Sequence, residues 1–115
     1  MSEDKWVVYL VRCSDESLYC GTSNDVHRRL EKHNSGRGAK YTRSRRPVEI
    51  VVSSPAMSKP EALKLEFRIK RMPSDQKISG LNTLGREIII KRNLQSLRRD
   101  FKAIVKLIDN LIKGI

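Results

Sequence analysis

The chain begins with two short apolar segments that are typical of β-strands. Residues 6–13 are rich in β-branched and aromatic side chains, and residues 18–22 form a second, shorter segment of the same kind. The polar stretch between them, Ser-Asp-Glu-Ser, has the composition of a tight turn. The pattern therefore predicts a β-hairpin over residues 6–22.

An amphipathic helix is predicted directly after the hairpin. Val26, Leu30 and His33 recur at helical spacing, so that they share one face. Either Ser23 or Asn24 is the expected N-cap, and the Ser-Gly pair that follows the periodic segment is expected to end the helix.

A loop and a third strand come next. Residues 36–47 contain two glycines, a proline and many basic side chains, which favours a loop. Residues 48–53, with sequence Val-Glu-Ile-Val-Val-Ser, have the composition of a strand.

Two further helices are predicted beyond the third strand. Ser58, with Glu61 three residues later, forms a capping box, and Pro73 is expected to end the helix. A short helix capped by Ser74 is then expected to close at Gly80. The helix that follows Ser58 carries one apolar stripe, formed by Ala62, Leu65, Ile69 and Met72.

The last part of the chain carries a heptad pattern. Apolar residues alternate spacings of three and four, which is typical of a coiled-coil seam. Two interpretations remain open: a terminal helix packed on the domain, or a contact of residues 94–115 with a second copy or another protein. The seam consists of Leu94, Leu97, Phe101, Ile104, Ile108, Leu111 and Ile115.

These elements predict an α+β fold. Its sheet has three strands, mainly antiparallel, and is flanked by helices, with an appended C-terminal helix. We expect one domain over residues 1–81 and a basic amphipathic helical extension over residues 82–115.

The charge balance indicates a polyanionic partner. The 115 residues include 24 Lys and Arg against 13 Asp and Glu, a formal net charge of +11. Such a charge favours DNA, RNA or an anionic membrane surface, and composition alone does not separate them. No apolar run approaches the roughly 18 residues that a membrane span needs.

The two cysteines indicate packing rather than chemistry. Cys13 and Cys20 are too few for a disulfide framework or a four-cysteine zinc site. We expect them to pack in the first two strands, with a redox role as the alternative. The apolar run 6–11 is too short for a signal-peptide core, so a reducing, cytoplasmic compartment is expected.

The densest positive charge lies between residues 28 and 46. This window holds eight basic residues against one acidic residue. We interpret it as a surface that binds a phosphate backbone, with a solvated loop as the alternative. Its central tyrosine is expected to stack on a base or sugar. The predicted nucleic-acid-binding residues in the window are Arg28, Lys32, Arg37, Lys40, Tyr41, Arg43, Arg45 and Arg46.

Several residue types that suit phosphodiester hydrolysis fall on neighbouring elements. Arg29 and His33 are four residues apart on one predicted helix and therefore share a face. Glu66 lies beside an apolar stripe, where a carboxylate is expected to hold a cation. Tyr9 and Tyr19 lie on adjacent strands of the hairpin. Spacing alone leaves the simpler interpretation open, in which these are strand aromatics, helix-surface charges and a helix-terminal histidine.

Four stretches in the same order resemble the GIY-YIG nuclease family. Val7-Val8-Tyr9 and, ten residues on, Tyr19-Cys20-Gly21 resemble its two motif strands. Residues 24–30 resemble its arginine-bearing helix, and residues 61–66 its metal-binding helix. The loop sequence Gly-Ala-Lys-Tyr-Thr-Arg is similar to that of the small, stand-alone members. The resemblance covers residues 5–80.

The resemblance implies a metal-dependent DNA endonuclease of low sequence specificity. Tyr9 would activate or orient the attacking water, Tyr19 would support the scissile phosphate, and Arg29 would stabilise its developing charge. His33 would assist proton transfer. Glu66 would be the sole carboxylate on one Mg²⁺ or Mn²⁺ ion, which is enough because magnesium keeps several waters.

The sequence departs from the family pattern at three positions. Val7 replaces the first motif's glycine, and Cys20 stands where isoleucine or valine is usual. Thr22 stands where some relatives carry a lysine beside the substrate. Gly21 is kept, and it would permit close approach of the backbone to nucleic acid.

Three functions are compatible with these features. The first is an endonuclease that cuts DNA, including branched or damaged forms, with no membrane partner. The second is a non-catalytic nucleic-acid-binding module on the same scaffold. The third is an interaction protein that pairs through the heptad helix.

Overall fold

The computed structural model describes residues 4–114 and confirms the α+β class. The elements come in the predicted order, with one extra turn of helix in the basic loop and one long helix in place of the last two. They are β1 (Val7–Arg12), β2 (Leu18–Ser23), α1 (Val26–Asn34), α2 (Lys40–Arg43), β3 (Glu49–Ser53), α3 (Lys59–Lys70) and α4 (Ser74–Lys113).

The three strands form one antiparallel sheet with the order β2-β1-β3. The predicted hairpin is confirmed, and its register sets Tyr9 opposite Gly21 and Val11 opposite Tyr19. These four residues therefore belong to one face of the sheet. Because β2 is an edge strand, groups from both faces can meet around it.

The central strand β1 is buried on both faces, which explains its continuous apolar sequence. Val8 and Leu10 pack in a core with residues of α3 and α4. Tyr9 and Val11 pack in a second core on the other face, against Leu30 of α1 among others. The alternation of side chains along a strand thus sends two sets of residues to two helical layers.

Helix α1 begins one or two residues later than predicted. Asp25 is the N-cap, and its carboxylate accepts from the Arg28 amide at 3.1 Å. The predicted caps Ser23 and Asn24 were wrong, because Ser23 still belongs to β2 and accepts from the Asp25 amide. The predicted stop is confirmed by Gly36, which has a φ of +83°.

The basic loop contains one turn of helix that the sequence pattern did not predict. The turn is α2, and its Thr42 is fully buried beneath the loop. A polar side chain at this depth needs hydrogen-bond partners. Thr42 finds them in the functional site described below.

The capping box of α3 is confirmed. The Ser58 hydroxyl accepts from the Glu61 amide, and the Glu61 carboxylate accepts from the Ser58 amide. Of the predicted stripe, Ala62, Leu65 and Ile69 are buried. The face of α3 that carries Glu66 is thereby fixed against the sheet.

The predicted short helix that ends at Gly80 was wrong. A single helix of 40 residues runs from Ser74 to Lys113, and Ser74 is its first residue rather than its cap. Gly80 lies inside this helix, where a side chain would collide with the Met72 sulfur. The glycine thus serves close packing and not helix termination.

Helix α4 leaves the domain after Arg92. The Arg92 guanidinium binds Asp4, at 2.6 Å, and Glu61. Residues 93–114 are all exposed, and the protein extends over 73 × 28 × 17 Å. The interpretation of a terminal helix packed on the domain was therefore wrong; the predicted seam residue Ile115 lies outside the described residues.

The boundary between residues 81 and 82 stays a prediction, since α4 crosses it without a break. Among the described residues, no helix has both the length and the apolar character that crossing a bilayer requires.

Candidate active site

Tyr9 and His33 form the centre of the candidate site. The Tyr9 hydroxyl lies 2.9 Å from His33 Nε2 in a buried hydrogen bond. Both residues are buried, and each exposes only 2% of its surface. The central strand supplies the phenol and the end of α1 supplies the imidazole, so both are held by rigid elements.

The other nitrogen of His33 is bound by the basic loop. His33 Nδ1 lies 2.9 Å from the Thr42 hydroxyl oxygen, and that hydroxyl donates to the Ala39 carbonyl at 2.9 Å. Both imidazole nitrogens therefore have a defined partner. Thr42 belongs to the loop motif that resembles the stand-alone family members, but no role was predicted for it, because the contact depends on how the loop folds over α1.

Burial sets the charge state of this pair. It raises the pKa of Tyr9 to about 12, although the Arg29 guanidinium opposes this shift. Burial also lowers the pKa of His33, and the charges of Arg29 and Lys32 lower it further. At neutral pH the phenol is therefore protonated and the imidazole neutral.

Arg29 lies one helical turn before His33 and is half-buried. Its charge acts on both Tyr9 and His33. Arg29 and His33 were predicted to share one face of their helix, and in the structure both lie next to the Tyr9 hydroxyl. A guanidinium at this place can bind an anionic oxygen beside the phenol.

Tyr19 forms an aromatic wall next to His33. Its ring packs edge-on against the imidazole, with centroids 5.4 Å apart. Tyr41 stacks on Tyr19 at 5.8 Å, and the Arg45 guanidinium lies 3.9 Å from the Tyr41 ring centre. Tyr41, predicted to stack on a base or sugar, therefore already contacts protein groups, although 38% of it remains exposed.

Glu66 reaches the site from α3. Its carboxylate accepts from the Thr22 hydroxyl and binds the Lys70 ammonium at 2.8 Å. The same ammonium lies 6.0 Å from the Tyr19 ring centre. The bond to Glu66 raises the pKa of Lys70. Sequence reasoning missed Lys70, although its position four residues after Glu66 was a usable signal.

The two halves of the site meet around the edge strand β2. Tyr9 and Tyr19 belong to the face covered by α1, and Thr22 belongs to the face covered by α3. Gly21 adds no side chain between Tyr9 and the edge. The negative charge of Glu66 is close enough to act on the Tyr9 hydroxyl.

Glu66 is the carboxylate at this site that a metal ion would use. Among residues 4–114, no group of three His, Cys, Asp or Glu side chains could hold a metal ion. A divalent ion at this place would have Glu66 as its only carboxylate ligand, which fits Mg²⁺ because that ion keeps waters and takes substrate oxygens. The Lys70 ammonium shows that this carboxylate already attracts a cation.

A groove of about 940 Å³ runs along the outer side of α1 to the end of β2. Trp6 and Thr22 form one wall, and the basic residues Arg28, Arg29 and Lys32 belong to the other side. Basic side chains outnumber acidic ones around it. The groove adjoins the candidate site, because Thr22 and Arg29 line both of them.

The cations of the basic loop fall into two groups. Arg45 binds Asp15 and the Tyr41 carbonyl, and Arg46 binds the Arg43 carbonyl, all at about 3.0 Å or less. These two guanidiniums thus help to hold the loop. Arg37, Lys40 and Arg43 are exposed. Nucleic-acid binding by all of these residues stays a prediction.

The cysteines are packing residues, as predicted. Cys13 and Cys20 are both free and buried. Burial raises the pKa of the Cys20 thiol to about 12, so the thiol is protonated and unreactive at neutral pH.

The chain is similar to proteins of one known family. A family model described as the GIY-YIG catalytic domain matches residues 5–79. A UPF0213 protein of Nitratidesulfovibrio vulgaris is 45% identical over 95 residues, which cover 83% of this chain and 86% of that protein. A UPF0213 protein of Staphylococcus epidermidis is 52% identical over 75 residues, covering 65% of this chain and 92% of that protein.

A solved structure is also similar to this chain. The solution NMR structure of a UPF0213 protein from Bacillus halodurans shares 42% sequence identity and covers 64% of this chain and 79% of that chain, with a TM-score of 0.41. The family match includes the tyrosine strands, the arginine helix and the helix that carries Glu66. The chain therefore belongs to the GIY-YIG nuclease family, and its similar relatives are small UPF0213 proteins.

Proposed function

We propose that this protein is a metal-dependent endonuclease that hydrolyses phosphodiester bonds in DNA. The observation that carries the proposal is the hydrogen bond between the Tyr9 hydroxyl and His33 Nε2, beside the Arg29 guanidinium. A buried phenol in contact with a neutral imidazole is suited to move a proton from an attacking water.

Each side chain has a distinct task in this proposal. Tyr9 takes the proton of the attacking water while it passes its own proton to His33. Arg29 binds the phosphate oxygens and stabilises the charge that grows on them. Tyr19 supports the scissile phosphate at the edge strand. The roles require no movement of the backbone, because Tyr9, Arg29 and His33 are already neighbours.

Glu66 is the proposed ligand of the divalent cation, Mg²⁺ or Mn²⁺. When bound, such an ion supplies positive charge that polarises the phosphate. Thr22 orients the Glu66 carboxylate through its hydroxyl, and Lys70 must give up its bond to Glu66 or share it. Once released, Lys70 lies close enough to Tyr19 to contact a phosphate there.

DNA is the proposed substrate, with low sequence specificity. The groove and the exposed loop present mainly guanidinium and ammonium groups, which suit contacts to phosphate oxygens, and phosphate contacts carry no sequence information. Branched and damaged DNA are included among the proposed substrates, since an enzyme that selects DNA by its shape does not need to recognise its bases. We further propose that the protein acts in the cytoplasm, because free cysteines are typical of a reducing compartment.

Cleavage of branched and linear DNA with added Mg²⁺ tests this proposal. The wild-type protein should cut, a chelator should stop cutting, and Glu66→Gln should abolish it while DNA affinity changes little. Glu49→Gln is a matched control, because Glu49 is an exposed carboxylate on β3. Absence of metal-dependent cutting on every DNA form would contradict the proposal.

A non-catalytic nucleic-acid-binding module is the second candidate. It is favoured by one observation: both partners of Glu66, Lys70 and Thr22, come from the protein itself. A carboxylate satisfied in this way need not bind a metal ion. This candidate gains if wild-type protein and Glu66→Gln bind DNA equally and neither one cuts.

We also propose that the exposed end of α4 pairs with a second copy of the chain. Between Leu94 and Ile112 the helix is about 27 Å long, and nine large apolar side chains there are 47% to 71% exposed. Burying them would remove on the order of 800 Å² per copy, the size of a standard interface.

The pattern of side chains favours self-pairing over other uses of this helix. The seam repeats at heptad spacing, so two identical helices can pack knobs into holes. Arg99, Lys102, Lys106 and Lys113 lie off the seam, where like charges of two copies stay apart. An interaction protein without catalysis, the third function considered above, would use the same surface.

A further inference from the structure

Thr42 is a buried polar residue that none of the proposed roles uses. It lies in the single turn α2, and its residue surface is fully covered. Its hydroxyl oxygen is 2.9 Å from both His33 Nδ1 and the Ala39 carbonyl oxygen. The loop thus connects its own backbone to the imidazole through one hydroxyl group.

The directions of these hydrogen bonds follow from the chemistry of the groups. A carbonyl oxygen only accepts, so the single hydroxyl proton of Thr42 is donated to Ala39. Toward His33 the Thr42 oxygen can then only accept, which requires a proton on Nδ1. Nε2 of the neutral ring consequently carries a lone pair, and it faces the Tyr9 hydroxyl.

We propose that Thr42 is a positioning residue that holds His33 in the Nδ1–H tautomer. This tautomer leaves Nε2 free to accept the proton of Tyr9. In the opposite tautomer, Nε2–H would donate to the Tyr9 oxygen, and the imidazole could not take a proton from the phenol.

The catalytic effect of holding His33 in this tautomer rests on the proposed function. A proton of the attacking water moves to the Tyr9 oxygen as the Tyr9 proton moves to His33 Nε2. The water oxygen bonds to phosphorus, and the bond from phosphorus to the leaving oxygen breaks. The leaving oxygen takes the electron pair of that bond and is protonated by solvent. His33 becomes a cation that still donates from Nδ1 to Thr42.

The surroundings of His33 make Thr42 the defining partner of Nδ1. Gly38 packs so closely that a Cβ atom there would lie 2.5 Å from Nδ1. Arg29 and Lys32 disfavour the charged ring, and Tyr19 covers one edge of it. The loop therefore closes over the ring with one polar group placed at Nδ1.

Nitrogen NMR of the histidine ring tests the tautomer without any need for activity. The full chain, labelled with ¹⁵N, should show His33 at neutral pH with a protonated Nδ1 and an unprotonated Nε2. The chain has two histidines, and His27→Gln identifies which signals belong to His33. A wild-type spectrum with protonated Nε2 would overturn the proposal.

Two substitutions at Thr42 separate positioning from simple packing. Thr42→Val keeps the shape but cannot accept a hydrogen bond, so the Nδ1–H form should lose its dominance. Thr42→Ser keeps the hydroxyl and should restore it. If Thr42→Val remains folded, judged by its backbone amide spectrum, and keeps the wild-type ring signals, Thr42 does not set the tautomer.

Kinetics provide the second readout. Thr42→Val should lower kcat by about 10²-fold, the lower end of what general acid–base catalysis contributes, with little change in KM, and Thr42→Ser should recover most of it. Equal kcat for the Val variant and the wild type would overturn the catalytic part. If no variant cuts DNA, the proposed function fails, whereas the tautomer measurement still decides the positioning role.

Discussion

Tyr9 lies directly opposite Gly21 in the pairing of β1 and β2, and its phenol occupies the space that a side chain at residue 21 would need. A Cβ atom built on Gly21 would overlap the end of the Tyr9 ring, including the hydroxyl oxygen. The second motif's glycine thus has a clear structural role here, which is to admit the first motif's tyrosine.

Gly21→Ala should therefore damage the site from the strand opposite. The methyl group would push the Tyr9 hydroxyl away from His33, with a loss of stability of about 1–3 kcal/mol from overpacking and a large loss of cleavage. Urea unfolding and DNA cleavage measure the two effects. Gly114→Ala is the control, since a Cβ there meets only ordinary contacts; equal behaviour of both variants would contradict the account.

The buried His33 should make stability depend on pH. Its pKa is lowered in the folded state, so the unfolded chain binds more protons between the folded value and the ordinary value of about 6.5. The stabilisation is therefore complete above that ordinary value and is lost as pH falls toward the folded one.

Urea unfolding at pH 5.5 and pH 7.5 measures this dependence. The free energy of unfolding should fall on acidification in the wild type and in His27→Gln, whose substitution is at an exposed residue, and should fall less in His33→Gln. A ring titration of His33 with a midpoint above its ordinary pKa would contradict the prediction.

The exposed cations of the loop should set the salt dependence of DNA binding. Replacing Arg37, Lys40 and Arg43 together by Ala should weaken binding to all sequences and reduce the slope of log affinity against log salt by up to about three. Changing Lys102, Lys106 and Lys113 is the matched control, at the far end of α4. An unchanged slope after the loop substitutions would show that this loop does not grip phosphates.

The exposed seam of α4 should make the protein a dimer. Leu97→Glu with Ile104→Glu places charge on the seam and should give the mass of one chain, 13.3 kDa, in sedimentation equilibrium. Lys102→Glu with Lys106→Glu adds the same carboxylates off the seam and should leave the dimer intact. A monomeric wild type would contradict self-pairing, and binding of that monomer to phosphatidylserine vesicles would reassign the helix to a membrane surface.

Much of the fold followed from local patterns. The capping box at Ser58, the hairpin and the apolar stripe of α3 are short-range signals, and the structure keeps each of them. The length of α4 did not follow, because Gly80 is typical of a helix end. The packing of Met72 against that glycine, a tertiary contact, shows that the glycine serves close packing and does not end the helix.

The candidate site, like the fold, was predictable from the sequence only in part. Residue types and order indicated Tyr9, Tyr19, Arg29, His33 and Glu66, and the structure brings these side chains around one edge of the sheet. Thr42 and the structural bonds of Arg45 were not predictable, because they depend on the folded path of the basic loop. Charge counts treat all loop cations alike, whereas the fold gives some of them internal partners.

In the proposed mechanism, Tyr9 passes a proton to His33 during phosphodiester cleavage. Single-turnover cleavage of branched DNA by Tyr9→Phe tests it most directly, since the change removes one oxygen atom and leaves the ring in place. The rate should fall by at least about 10²-fold while DNA affinity stays close to that of the wild type. Cleavage by Tyr9→Phe at the wild-type rate would contradict it.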